Sequence, residues 1–310
     1  MTGSGGFIGS HLATKLLDID CNLIVLMKEL DKNSFFSINN LEKKVKMYYG
    51  DLREFDEMER IMRREKIDTV FHLGAQSQVL RALEDPRSTL DINVRGTWNI
   101  LEACRKNENV KRIVVASSDK AYGIHKKLPY TEEFQLNASY PYDSSKTCTD
   151  IIAQMYAKTY GLPIGITRCA NIYGPGDINW DRLIPSTIKS LINKEEIVIR
   201  SDGTPERDYI YIDDAVNAYI TLAKNIENVK GEAFNFGSGK PVNVLNVVNT
   251  LIEISGYDIK PKILGKSKGE IDRQYLDSTK AFEKLNWKAE TILKDGLTKT
   301  YRWYKKIQQL

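Results

Sequence analysis

Short apolar runs alternate with longer segments of helical periodicity in the first half of the chain. In the longer segments, apolar residues recur three and four positions apart, as they do on one face of a helix. The strand-like runs are residues 22–27, 45–49, 69–73, 112–116 and 164–168, and the helical segments are residues 55–64, 94–106 and 144–160. Parallel strands joined by crossover helices produce this alternation. The pattern predicts an α/β fold with a doubly wound, Rossmann-type parallel sheet.

The alternation becomes less regular from about residue 171, where prolines are frequent and the apolar runs are short. We therefore divide the chain into residues 1–170, which form the main sheet, and residues 171–310, which form a smaller α/β region lying over it. Residues 213–237 are expected to return to the main sheet, because residues 234–236 have the composition of one more strand.

A glycine-rich loop stands near the start of the chain and leads into a helical segment at residues 10–17. Its glycines are Gly3, Gly6 and Gly9. Such a loop lets the backbone approach a pyrophosphate closely, and the helix N-terminus adds free N–H groups and a partial positive charge. Residues 1–170 are therefore predicted to be a dinucleotide-binding domain. The loop residues expected to contact the cofactor are Gly3, Gly6, Phe7, Ile8 and Gly9.

Only Met1 and Thr2 precede this loop, although a loop of this kind normally follows a strand. That strand is central in a doubly wound sheet and buries about four apolar side chains, each contributing ~1.5–3 kcal/mol. We therefore expect the first strand to be truncated in this sequence and the natural chain to begin several residues earlier.

The end of the second predicted strand bears on which dinucleotide is bound. A carboxylate there binds the ribose 2′-hydroxyl of NAD, whereas a basic group accommodates the 2′-phosphate of NADP. Lys28 favours NADP and the adjacent Glu29 favours NAD. Both cofactors therefore stay open at this point.

Tyr142 and Lys146 are four residues apart, which places them on one face of a helix. A free tyrosine has a pKa of about 10, and a nearby ammonium lowers such a pKa by roughly 1–3 units. The pair therefore predicts a phenolate that removes a hydroxyl proton while a hydride leaves the same carbon. Ser117 and Ser118 directly follow the strand-like run 112–116, and the Ser118 hydroxyl is placed to bind the same substrate oxygen.

Composition and charge exclude several other classes of protein. The 310 residues carry 45 basic and 41 acidic side chains, and a dispersed net charge of +4 does not indicate a nucleic-acid partner. No apolar stretch approaches the roughly 20 residues that span a bilayer, and no signal peptide is recognisable. The 4 cysteines are widely spaced and there are 3 histidines, so we expect free thiols, no metal site and a cytoplasmic location.

The motifs together resemble those of the extended short-chain dehydrogenase/reductases, in the NAD(P)-dependent nucleotide-sugar epimerase/dehydratase group. The matching segments are residues 3–9, 50–52, 72–76, 93–97, 142–146, 168–174 and 207–209. The resemblance implies a tightly bound NAD or NADP that is regenerated in each turnover. It also implies cofactor contacts, or a role in shaping the cofactor site, for Asp51, Leu52, Leu73, Gly74, Ala75, Asn93 and Ser117, in addition to Lys28, Tyr142 and Lys146.

Asp119 and Lys120 follow Ser118 directly, and this segment is most similar to CDP-glucose 4,6-dehydratases. In that reaction, oxidation at C4 acidifies the C5 proton, a base removes it, and an acid protonates the departing C6 hydroxyl. The resemblance implies that Asp119 is the acid and that Lys120 is the C5 base or an electrostatic stabiliser. Alternatively, the two residues form an ordinary loop ion pair, and the enzyme is a nucleotide-sugar 4-epimerase. A non-catalytic dinucleotide-sensing protein is a third possibility, although such proteins tend to lose the tyrosine or the lysine of the pair.

The resemblance also implies a nucleotide-sugar site, which makes residues 171–310 the nucleotide-sugar-binding region. Its expected residues are Ser77, Gln78, Ser118, Asn171, Arg182, Leu183, Arg207, Glu270 and Arg273. Arg207 matches the family's phosphate-binding arginine, whereas the usual second arginine position is Ser267, and Arg273 or a neighbouring lysine is the candidate substitute. Residues 94–106 and 144–160 resemble the helix pair through which family members form homodimers.

Overall fold

The computed structural model describes residues 1–19, 21–266 and 271–308. The helices are α1 (Phe7–Leu17), α2 (Phe35–Ile38), α3 (Phe55–Glu65), α4 (Val79–Glu84), α5 (Pro86–Leu90), α6 (Gly96–Arg105), α7 (Pro141–Tyr160), α8 (Leu183–Asn193), α9 (Ile212–Lys224), α10 (Val244–Ser255), α11 (Thr279–Leu285) and α12 (Leu293–Gln308). The strands are β1 (Ile24–Met27), β2 (Lys46–Tyr49), β3 (Thr69–His72), β4 (Arg112–Ala116), β5 (Ile164–Cys169), β6 (Asn171–Tyr173), β7 (Val198–Ile199), β8 (Glu206–Arg207), β9 (Tyr209–Tyr211), β10 (Ala233–Phe236), β11 (Val242–Asn243), β12 (Lys262–Ile263) and β13 (Arg273–Gln274).

The main sheet is parallel, and its order is β2, β1, then Thr2, then β3, β4, β5 and β10. Thr2 holds the central position by bridging to Leu26 of β1 and to His72 of β3. The Thr2 N–H donates to the carbonyl of Phe71 at 3.0 Å, and the Met1 carbonyl accepts from Leu26 at 2.9 Å. The central strand is therefore represented by Met1 and Thr2 alone. The predicted α/β fold with a doubly wound parallel sheet is confirmed.

Helices cover both faces of this sheet, because alternate residues of each buried strand point to opposite sides. In β4, Val114 packs in a core with residues of α1 and α9. Its neighbours Ile113 and Val115 pack in a second core with residues of α3, α6 and α7. Both cores are apolar, and all three of these β4 side chains are fully buried. The sheet edge at the carboxyl ends of the strands is thus left open between the two helical layers, where a doubly wound fold binds its ligands.

The remainder of the chain lies over that edge. β6 pairs with β9, β8 pairs with both β11 and β13, and β7 pairs with β12. Asp208, between β8 and β9, is fully buried, and its carboxylate accepts hydrogen bonds from the N–H groups of Ser238, Gly239 and Leu276. This carboxylate therefore fastens the strand that carries Arg207 to two distant segments. Among the helices of the described residues, none is long and apolar enough to cross a membrane.

Candidate active site

A cleft of about 560 Å³ lies at the carboxyl ends of the strands. The glycine loop, the segments following β3, β4 and β5, the first turns of α7 and residues 177–182 form its walls. Of the residues predicted to bind the cofactor, those that line the cleft are Gly3, Gly6, Phe7, Ile8, Gly9, Leu73, Ala75, Ser117, Tyr142 and Lys146. The residues predicted to be catalytic that line it are Ser118, Asp119, Lys120, Tyr142 and Lys146. Segments far apart in the sequence thus meet in one cavity.

The glycine loop has the geometry that a pyrophosphate requires. A Cβ atom on Gly9 would lie 2.0 Å from the Gly3 carbonyl oxygen, and Gly3 itself has φ +74° and backs onto Gly74. The loop is therefore closed around its own backbone, which only glycine allows at these positions. Within the described chain, no side chain caps the N-terminus of α1 at Gly6. The first amides of α1 are thus available to an anion in the cleft, and the loop fits a dinucleotide.

Beyond the cleft wall lie three further residues that were predicted to contact the cofactor, Lys28, Asp51 and Leu52, none of which is among the described lining residues. Asp51 accepts hydrogen bonds from the Arg53 guanidinium at 2.9 and 2.6 Å, and this guanidinium lowers the pKa of Asp51 to about 2. The Nζ atom of Lys28 lies 3.9 Å from the same carboxylate, on a side chain that is 70% exposed. Leu52 closes against Gly74, since a Cβ on Gly74 would lie 2.8 Å from the Leu52 Cδ1 atom. The Asp51 carboxylate is therefore already paired with two cations, Lys28 and Arg53.

Asn93 positions the loop that follows β3. It is buried, and its Nδ2 group donates to the Gln76 carbonyl at 2.9 Å and to the Ser145 hydroxyl at 2.8 Å, while its Oδ1 accepts from the Gln76 N–H at 2.7 Å. These bonds tie the loop containing Ala75 to α7, which carries Tyr142. Asn93 thus shapes the site from behind. Among the described residues that line the cleft, neither Asn93 nor Gly74 appears.

Tyr142 and Lys146 occupy one face of the first turns of α7. Lys146 is buried, its Nζ donates to the Ala116 carbonyl at 2.8 Å, and burial lowers its pKa to about 8. The pKa of Tyr142 is raised, first by burial and then by the carboxylates of Asp119 and Asp143, although a hydrogen bond to Ser118 acts in the opposite direction. The sequence-based expectation of a lowered tyrosine pKa is therefore wrong. Proximity along the helix does not offset the loss of solvent around the phenol.

Ser118, Asp119 and Lys120 lie together on the short 3-10 turn that follows β4. The Ser118 hydroxyl donates to Asp119 Oδ1 at 3.1 Å and accepts from the Lys120 N–H at 3.2 Å. Lys120 Nζ lies 3.7 Å from Asp119 Oδ2, and Oδ2 is buried with no hydrogen-bond partner among the residues that the structure describes. The two side chains thus form the ion pair that the sequence allowed, yet both also face the cleft.

The substrate residues are distributed over two connected cavities. Ser77, Gln78, Asn171 and Arg182 line the main cleft. Asn171 and Arg182 also line a smaller cavity of about 210 Å³, together with Leu183 and Arg207. Arg182 donates to the carboxylate of Asp177 and to the carbonyl of Ile172, both at 2.7 Å, so its guanidinium is fixed between the cavities. Two arginines, Arg182 and Arg207, thus line the smaller cavity, and a pair of guanidinium groups is suited to a diphosphate.

Two of the predicted substrate residues are not placed in these cavities. Arg273 forms an ion pair with Glu206 and lies over the ring of Tyr275, and it lines neither cavity within the described part of the chain. These partners hold its guanidinium, and the side chain is about half exposed. Glu270 and Ser267 lie outside the described residues.

Several residues at the site carry no signal in the local sequence. The cleft is also lined by Arg200, Asn179, Asp181 and Tyr219, which the sequence placed only within the second region, residues 171–310. Gln274 contacts both Asp119 and Lys120 from 154 or more positions away. Asp143 could have been identified, because it directly follows the tyrosine of the motif.

Comparison with known proteins places this architecture in one family. Residues 1–237 match the NAD dependent epimerase/dehydratase family. The chain is 32% identical over 319 residues to a putative UDP-glucose 4-epimerase of Methanocaldococcus jannaschii, covering 98% of this chain and 97% of that protein. It is 30% identical over 314 residues to a trifunctional UDP-glucose 4,6-dehydratase of Arabidopsis thaliana, of which it spans 46%.

Solved structures give the same result. The UDP-glucose 4-epimerase of Thermotoga maritima, determined with UDP-glucose, superposes with a TM-score of 0.91 at 32% identity, covering 99% of this chain and 98% of that one. A double mutant of the dTDP-glucose 4,6-dehydratase of Streptomyces venezuelae, determined with NAD, has a TM-score of 0.89 at 28% identity, covering 99% and 97%. The matches include both epimerases and dehydratases, all of them enzymes. The family resemblance seen in the sequence is confirmed, and the chain belongs to the NAD-dependent epimerase/dehydratase family.

Proposed function

We propose that this enzyme is a 4,6-dehydratase of a nucleotide-activated hexose and forms a 4-keto-6-deoxy sugar. The observation that carries the proposal is the Asp119 carboxylate, which faces the cleft next to Ser118 and has a buried oxygen free of hydrogen bonds within the described chain. A 4-epimerase has no use for an acid at this point, whereas elimination of water requires one.

The first half of the reaction belongs to Tyr142. Its phenolate takes the proton of the C4 hydroxyl, and the Ser118 hydroxyl, which is hydrogen-bonded to Tyr142, orients the same oxygen. NAD held by the glycine loop of Gly3, Gly6 and Gly9 would supply the hydride acceptor for C4 and the hydride donor for C6. Lys146 is buried and donates a hydrogen bond to the Ala116 carbonyl. When Lys146 is protonated, its charge at the floor of the site favours the phenolate of Tyr142.

Asp119 and Lys120 perform the elimination. Lys120 takes the proton from C5, and the electron pair of that bond forms the C5–C6 double bond as the C6–O bond breaks. Asp119 protonates the departing oxygen, which leaves as water. When the hydride has been added at C6, Lys120 returns its proton to C5.

Over the whole cycle, Tyr142 gains one proton and Asp119 loses one. Ser118 is hydrogen-bonded to both residues, so its hydroxyl is the path by which the proton passes back from Tyr142 to Asp119. The raised pKa of Tyr142 keeps this proton on the phenol in the free enzyme, so the proton must pass to Asp119 before the next C4 oxidation begins. The three side chains are then ready for another turnover.

Incubation of the purified protein with CDP-, dTDP-, GDP- and UDP-hexoses, followed by mass spectrometry, tests the function. We expect loss of water from one of these substrates. Asp119→Asn is expected to retain C4 oxidation, seen as absorbance of the reduced cofactor, but to form no dehydrated product. Tyr142→Phe is expected to abolish both steps and to retain cofactor binding. A product of unchanged mass from the unmodified protein contradicts the dehydratase.

A 4-epimerase is the second candidate function. It is favoured by the 3.7 Å ion pair between Asp119 and Lys120, which gives both side chains a structural role. In that case Asp119→Asn leaves the interconversion of C4 epimers close to the unmodified rate, and no substrate in the panel loses water.

We also propose that the enzyme acts as a homodimer through α6 and α7. These helices expose Trp98, Ile151, Met155 and Tyr160, which are between 41% and 53% exposed. Large apolar side chains grouped on a helix pair indicate an interaction surface. Analytical ultracentrifugation is expected to give a dimer for the unmodified protein and a monomer for Ile151→Glu, and a monomeric unmodified protein contradicts the proposal.

A further inference from the structure

Gln274 joins the second region of the protein to the turn that carries Asp119 and Lys120. Its side chain is fully buried. Its Oε1 accepts a hydrogen bond from Lys120 Nζ at 2.5 Å, and its Nε2 donates to the Asp119 carbonyl at 3.2 Å. One amide therefore contacts both residues of the dipeptide.

This contact determines where the Lys120 ammonium lies. A charge-assisted N–H···O hydrogen bond is usually about 2.7–2.9 Å long, but Lys120 Nζ stays 3.7 Å from Asp119 Oδ2. The Gln274 oxygen occupies the direction in which Lys120 donates, and Asp119 Oδ2 is left without a hydrogen bond from any described residue. The amide thus keeps the Lys120 amino group and the Asp119 carboxyl group apart, although the two residues are adjacent in sequence.

Gln274 does not itself reach the reacting atoms. Within the described ranges it does not line the cleft, whereas Asp119 and Lys120 both do. It belongs to β13, which pairs in parallel with β8, and its carbonyl accepts from the Asp208 N–H at 3.2 Å. The strand that carries Arg207 therefore also fixes the position of Gln274.

We propose that Gln274 is a positioning residue that holds Lys120 away from Asp119, so that the two side chains act separately as C5 base and C6 acid. The inference rests on the proposed dehydratase function. Without the amide oxygen, Lys120 closes onto Asp119 in a direct ion pair. The carboxylate then no longer protonates the C6 oxygen, and the amine no longer reaches C5. Oxidation at C4 depends on Tyr142 and continues.

The test compares Gln274→Met, which keeps the length of the side chain but removes both hydrogen bonds, with the unmodified enzyme in single turnovers. Three quantities are measured: absorbance of the reduced cofactor for C4 oxidation, solvent deuterium incorporation at C5, and loss of water. In Gln274→Met, we expect oxidation to stay within about threefold and both later steps to fall by roughly 10–100-fold, as for a displacement of about 1 Å. Gln274→Glu keeps an acceptor for Lys120 and adds a negative charge that favours the ammonium, so it should restore part of the C5 exchange, with its pH dependence moved upwards.

Gln135→Met is the matched control, because it makes the same chemical change at an exposed position. It should leave all three quantities unchanged. If Gln274→Met slows oxidation and elimination equally, or leaves both at the unmodified rate, the positioning role is wrong while the dehydratase function stands. If the unmodified enzyme shows neither C5 exchange nor loss of water, the proposed function fails, and the inference fails with it.

Discussion

The Nζ atom of Lys146 donates a 2.8 Å hydrogen bond to the carbonyl oxygen of Ala116, the last residue of β4. The lysine that follows the tyrosine by one helical turn is therefore anchored to the end of the sheet. Burial lowers its pKa to about 8, so its charge is lost just above neutral pH. We infer that the ammonium acts on Tyr142 only below that pH.

Replacing Lys146 by Met should slow C4 oxidation by roughly 10²–10⁴-fold, since the site loses a buried cation from the helix that carries Tyr142. Stopped-flow absorbance of the reduced cofactor measures this step. Lys158→Met, which removes an exposed lysine from the same helix, is the control and should have no effect. An unchanged rate in Lys146→Met contradicts the assigned role.

Gly9→Ala should prevent the glycine loop from closing, because the new Cβ would lie 2.0 Å from the Gly3 carbonyl oxygen. We expect affinity for NAD to fall at least about tenfold, which corresponds to 1.4 kcal/mol or more. Gly5→Ala is the matched control, since its Cβ would lie 4.0 Å from the Met27 Cε atom. Isothermal titration of both variants with NAD decides the matter, and equal affinities would show that the loop tolerates a side chain.

Asp143→Asn should stabilise the protein above pH 6. Burial raises the pKa of Asp143 to about 6, so the native state holds a proton that the unfolded chain has released at about pH 3.9. Stability is therefore lost as the pH rises from about 4 to about 6, by roughly 1–3 kcal/mol. Urea unfolding at several pH values should show this loss in the unmodified protein and in the exposed control Asp258→Asn, but not in Asp143→Asn. A parallel decline in all three proteins contradicts the prediction.

Arg168 and Asp150 form a fully buried bidentate ion pair, with bonds of 2.8 and 2.9 Å. Removing only one partner leaves an uncompensated buried charge. Arg168→Met alone should therefore cost about 3–5 kcal/mol of unfolding free energy. The double variant Arg168→Met, Asp150→Leu should cost less than either single change. Denaturant unfolding of the two single variants and the double variant measures these costs. Additive costs would show that the two charges do not interact.

Features with local spacing were predictable from the sequence. The alternating strands and helices, the glycine loop and the helical pair Tyr142 and Lys146 depend on residues close to one another along the chain. The structure brings these and the Ser118–Lys120 segment into one cleft. The roles assigned to these residues stay predictions.

Features that depend on burial or on distant contacts were not predictable. The pKa of Tyr142 is raised because two carboxylates and the protein interior surround it, which spacing does not reveal. Gln274 reaches Lys120 across 154 positions, so no motif connects them. Arg273 was a candidate substitute for the phosphate-binding arginine that the sequence lacks at Ser267, yet Glu206 on the paired strand holds its guanidinium elsewhere.

Arg182 belongs to the walls of both cavities, and Asp177 and the Ile172 carbonyl fix its guanidinium. A substitution in either wall that displaces this guanidinium therefore alters the shape of both cavities. Under the proposed function, selection for a different hexose should accordingly yield paired substitutions, one in each cavity.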